Sequence, residues 1–170
     1  THTFLALGMI CAVLFFAYLV GEKDKKSYTI NWVLFGAIVF VMAAPQLFFW
    51  TFRQSVNNDS FLRYGVNWVN KADPYFWFYL KNWGITALFA VPAVLYASRD
   101  NKKLLLSCGF IFAVAEFVLF QPNEYDNNKL FFIAYMILII AVSNWLVHIW
   151  DKLKGVKGRV YLAVITIIAG

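Results

Sequence analysis

"LFFIAYMILIIAVSNWLVHIW" (residues 130–150) runs for 21 residues without an Asp, Glu, Lys or Arg. Wound as an α-helix it would be about 32 Å long, close to the hydrocarbon thickness of a bilayer, about 30 Å. It is apolar on every side, so it needs an apolar surround and not one buried stripe. Its flanks are the reverse. "FQPNEYDNNK" (120–129) precedes it and "DKLKGVKGR" (151–159) follows it.

The same alternation recurs outward along the chain. Apolar runs at 3–20, 30–52, 75–97 and 104–120 are separated by short charged clusters, and another run starts at Val160. Pro45 and Pro92 fall inside the second and third runs, where proline usually marks a kink. The 170 residues are 62% hydrophobic and only 14% charged, against about 25% charged in a typical soluble domain. Apolar and polar residues do not alternate with period two, which argues against a barrel. The expectation is an all-α, polytopic transmembrane bundle forming one region, with five full spans and a sixth begun. Thr1 has no basic stretch after it, and the last run reaches Gly170 after about eleven residues of the roughly 20 a span needs. Both ends predict a fragment of a longer protein.

The net charge of +6 does not point to nucleic acid, because the bases sit in short loops. The loops after spans one, three and five hold ten Lys and Arg; the alternate loops hold Arg53, Arg63, Lys71 and Lys129. The richer set is expected in the cytoplasm, which puts residues 53–74 and 120–129 on the outer side. Within 59–71, Phe61, Leu62, Gly65, Trp68 and Val69 recur at helical spacing, and Asp59 or Ser60 is placed to cap a helix. A short amphipathic helix in the outer interface is predicted there. Asn58-Asp59-Ser60 matches a glycosylation pattern and reads as a chance match.

Candidate chemistry rests on the residues that are costly inside a membrane. Cys11 and Cys108 lie in apolar runs and read as small buried hydrophobes. Asn144 and His148, four apart, read as interhelical hydrogen-bonding groups. Lys81 and Glu116 lie inside the third and fourth spans. Counting 1.5 Å per residue along two antiparallel, unbroken helices puts them at similar depth. Either they pair across an outward-facing cavity with Asn82 beside them, or Lys81 snorkels to the headgroups and Glu116 is neutral and hydrogen-bonded. Basic groups at that depth suit a lipid phosphate. The outer carboxylates, Glu124 and Asp126 among them, allow a divalent metal as cofactor. No phosphate-binding loop, metal-spaced cluster or nucleophile elbow is present in the sequence.

"FQPNEYDNNKLFF" resembles the pattern Phe-Gln-Pro-x-x-aromatic-Asp-Asn-x-Lys of a group of large bacterial polytopic membrane proteins similar to the GT-C glycosyltransferases. "YGVNWVNKADPYFWFYLKNWGI" is similar to the stretch of that group in which Gly and Trp lead into an aromatic-rich span with Leu-Lys-Asn-x-Gly. The likeness covers about 45–150. It departs at Asn67, which separates Gly65-Val66 from Trp68, and at Asn123, which stands where an aromatic is usual. The resemblance implies a bacterial plasma-membrane glycosyltransferase using a polyprenyl-phosphate-linked sugar at the extracytoplasmic face. It implies that the catalytic carboxylate lies outside this stretch. It also implies that Lys81, Asn82, Gln121, Asp126, Asn127 and Lys129 line the donor or acceptor cavity, with Lys81 and Lys129 on phosphate or sugar and Asp126 orienting them. Membrane lipid and the lipid-linked sugar are the partners expected. The rival readings are a transporter or flippase subunit, with Lys81–Glu116 in the passage, and a non-catalytic membrane scaffold.

Overall fold

A computed structural model describes residues 2–53, 62–70, 72–120 and 124–169. The described chain is mostly helical. Its helices are α1 (His2–Leu19), α2 (Lys25–Gln46), α3 (Tyr75–Trp83), α4 (Ile85–Tyr96), α5 (Arg99–Phe117), α6 (Glu124–Lys152) and α7 (Val156–Ala169). Two short strands, β1 (Arg63–Tyr64) and β2 (Val118–Leu119), pair antiparallel, Arg63 opposite Leu119 and Tyr64 opposite Val118.

Local chemistry fixes the helix starts. Asp24 caps α2 by accepting the Ser27 N–H at 3.1 Å, and Ser98 caps α5 by accepting the Asn101 N–H at 3.3 Å. Ahead of α3, Asn70 folds the chain on itself. Its Oδ1 accepts the Asp73 N–H at 3.0 Å and its Nδ2 donates to the Asp73 carbonyl at 2.7 Å. Pro45 does not stop α2; the chain passes into a π-helical turn, Leu47–Thr51.

Helix α5 is the centre. It packs on α6 and α1, and α4 packs on the other side of α6. Fully buried alanines at 93, 115 and 134 let the helices approach closely around Ile111, Leu130 and Val142. Helix α2 touches little beyond α1 and has no buried residue along its length. An apolar helix left bare in this way suits a hydrocarbon surround.

The expected span count is corrected. Among the described residues, three helical stretches are long and apolar enough to cross a membrane: His2–Leu19, Lys25–Trp50 and Tyr125–Lys152. They are compatible with an integral membrane protein. The expected third span is broken. Helices α3 and α4 meet at 93°, and they add a fourth crossing only if the bent pair is one span. The break is at Gly84, with φ 51° and ψ −131°, a conformation suited to glycine, and not at Pro92. The expected fourth span fails because α5 opens with Arg99, Asp100, Lys102 and Lys103 and gives way to β2 after Phe117. Its apolar part, 104–117, is only about 21 Å long.

The amphipathic helix predicted over 59–71 is also corrected within its described part. Residues 62–70 hold β1 and a turn, with Asn67 at φ 55°. Asp59, Ser60 and Phe61 lie outside the described residues, as do Asn58 and Lys71. A β-partner in 118–119 and the positive φ at Asn67 defeat the helix that periodicity suggested. Trp68 and Val69 nevertheless face inward and pack against the core.

Candidate functional site

The polar residues gather at the end of the bundle where α1 and α6 begin and α5 finishes. Glu116, 3% exposed, is the one buried carboxylate among the described residues. Its Oε2 accepts from the Tyr79 hydroxyl at 2.5 Å and its Oε1 from the Asn67 N–H at 2.9 Å. The Trp68 indole N–H donates to the Ala115 carbonyl at 2.8 Å, and the Gly65 N–H to the Phe117 carbonyl at 3.1 Å. Residues 65–68 are thus laid over the last turn of α5, whose carbonyls would otherwise lack partners.

Asn127 completes the cap from α6. It is 1% exposed. Its Nδ2 donates to the carbonyls of Ala115 at 3.2 Å and Val118 at 2.9 Å, and its Oδ1 accepts the Phe120 N–H at 3.3 Å. All three of these bonds go to backbone, so Asn127 ties the end of α5 to the start of α6.

Of the two alternatives for Lys81 and Glu116, the pair is not formed. Lys81 pairs with Asp73 at 2.5 Å, and both ends are partly exposed. Glu116 is instead hydrogen-bonded by neutral groups. Lys129 pairs with Asp126 at 2.8 Å, one turn apart on α6, and the lysine is mostly exposed. Glu124 opens α6; its side chain and Gln121 lie outside the described residues. Among the described residues, no three His, Cys, Asp or Glu side chains come together as metal ligands; Asp59 and the Glu124 side chain lie outside them.

Beside this cap lies a cleft of about 230 Å³. Rings of Tyr79, Trp83, Phe131 and Tyr135 bound it, with the amides of Asn82 and Asn128. Asn82 uses its Nδ2 on the Phe78 carbonyl at 2.8 Å. The rings hold each other: Tyr79 and Trp83 are edge-on with centroids 5.6 Å apart, and Trp83 and Tyr135 are tilted with centroids 5.7 Å apart. Tyr79 serves both features. Its ring faces the cleft and its hydroxyl is held by Glu116.

Of the residues singled out from sequence, the structure brings Asn82 to the cleft and Glu116 one residue behind it, through Tyr79. Lys81, Asp126 and Lys129 sit nearby as surface ion pairs. Sequence reasoning missed Tyr79, Trp83, Tyr135 and Asn128. Part of the signal was legible: Tyr75, Tyr79 and Trp83 recur every four residues, one face of α3. His148 meets its neighbouring helix by stacking on Tyr96, centroids 4.2 Å apart, in place of the expected hydrogen bond. No family model, curated protein or solved structure matches this chain.

Proposed function

We propose that the chain is part of an integral membrane glycosyltransferase of the GT-C type, and that the cleft beside α3 binds the sugar of a polyprenyl-phosphate donor at the outer face of a bacterial plasma membrane. One observation carries the reading. The cleft presents aromatic rings with two amides and, among the described residues that line it, no charged side chain. Ring faces suit the C–H faces of a sugar and amides suit its hydroxyls. In this reading Lys81 and Lys129, one residue along from Asn82 and Asn128, would exchange their ion pairs with Asp73 and Asp126 for the phosphate. The catalytic carboxylate is assigned to a part of the protein beyond this stretch.

The test uses the intact protein in proteoliposomes with a polyprenyl-phosphate sugar. Trp83→Ala and Asn82→Ala are each expected to weaken donor binding about three- to tenfold. Unchanged binding in both, with unfolding temperatures preserved, would sink the assignment. A second reading, passage of a substrate through the membrane, draws on the elbow at Gly84, since broken helices form transport sites. Release of intact donor on the far side, without transfer of its sugar, would favour that reading over the first.

A further inference from the structure

A cavity larger than this cleft lies away from the polar cap. It is a groove of about 630 Å³ between α1 and α2. Small residues floor it, among them Gly8, Ala12 and Gly36, and Phe15 and Trp32 stand at one end. A Cβ added at Gly8 or Gly36 would meet no atom within 4 Å, so the space is open.

The end at Phe15 and Trp32 has a distinct chemistry. Phe15 stacks on Tyr28 with centroids 5.7 Å apart, and Trp32 stands edge-on to Phe15 at 5.8 Å. Aromatic side chains of this kind mark the depth of the headgroups. Just beyond them come Lys23 on the α1–α2 turn and Lys25 and Lys26 at the start of α2. Arg99, Lys102 and Lys103 lie on the first turn of α5, tied to α1 because the Tyr18 hydroxyl donates to Asp100 at 3.1 Å.

Three carboxylates share this rim, and all three are committed. Asp24 caps α2, Glu22 accepts the Lys23 N–H at 2.9 Å, and Asp100 holds Lys103 at 3.2 Å. The Lys103 ammonium, helped by the Tyr18 hydroxyl, keeps the Asp100 carboxyl below its usual range. Lys23, Lys25, Lys26, Arg99 and Lys102 are exposed and have no ion pair among the described residues. An apolar groove thus ends at a ring of uncommitted cations.

We propose that the groove between α1 and α2 seats an anionic phospholipid, its acyl chain along the groove and its headgroup on Lys23, Lys25 and Lys26. Hydrocarbon suits a lining of this composition, and each basic residue near an anionic headgroup adds attraction.

The intact protein is reconstituted in phosphatidylcholine bilayers doped with brominated phosphatidylglycerol or brominated phosphatidylcholine. The readout is the part of the tryptophan quenching that Trp32→Phe removes. The anionic lipid is expected to quench that part at about fivefold lower mole fraction. The preference should collapse in the combined Lys23→Gln, Lys25→Gln, Lys26→Gln variant, whose changes are all at exposed positions. Quenching by both lipids should fall when Gly8→Leu and Gly36→Leu fill the groove. Four outcomes would overturn the proposal: equal quenching by the two lipids; a preference that survives the glutamine variant; stronger displacement by polyprenyl phosphate than by phosphatidylglycerol; or a Trp32 that neither lipid reaches, which would mean that protein fills the groove.

Discussion

Gly84 decides how the polar residues are grouped. Depth matching of Lys81 with Glu116 assumed an unbroken helix from Tyr75 onward. The backbone at Gly84 turns α3 through 93° from α4. That turn takes Lys81 to Asp73 and leaves Tyr79 as the partner of Glu116. No rule of hydropathy or helix propensity distinguishes this glycine from Gly8 or Gly36, which sit quietly inside helices. Only the backbone geometry shows it. Gly84→Ala places a Cβ at a positive φ and should cost about 1–3 kcal/mol. The check is thermal unfolding of the purified protein in detergent; an unchanged midpoint would mean that the elbow relaxes at little cost.

At the level of elements, the long helices were legible because their signal is local: 21 uncharged residues in a row need no tertiary context. The β1–β2 pair was not legible. Each strand is two residues long, and the partners lie more than fifty positions apart. Periodicity over 59–71 put Trp68 and Val69 on the apolar face of an interfacial helix, whereas they pack on the core from a turn. Asn127 belongs to the same lesson. Its place in a motif suggested a ligand contact, whereas its amide holds the end of α5 against the start of α6. Asn127→Leu keeps the bulk and removes three hydrogen bonds, leaving the Val118 carbonyl and the Phe120 N–H to find new partners. The expected loss is about 3 kcal/mol. Amide exchange at Gly65 and Asn67 should speed up together if the cap opens as a unit. Protection retained at both sites would show that Asn127 is not what holds the cap.

For the whole molecule, the placement of charge predicts an orientation that labelling can test. Tyr125, at the start of α6, and Lys26, at the start of α2, lie at opposite ends of the bundle, and both are exposed. With Cys11 and Cys108 replaced by alanine, a membrane-impermeant maleimide added outside intact cells is expected to modify Tyr125→Cys and to spare Lys26→Cys. The reverse pattern would invert the topology and move the cleft to the other face. The height of α5 carries a further consequence. Its apolar part is about 9 Å shorter than the hydrocarbon layer, while α1 and α6 on either side are taller. Mismatch of this kind is met by thinning the lipid layer locally. Thinning around α5 would be drawn to its β1–β2 end, where the polar cap sits. The membrane surface there would dip into a dimple, so that water and a headgroup meet the Glu116 cap below the general level of the bilayer, with less hydrocarbon left to cross.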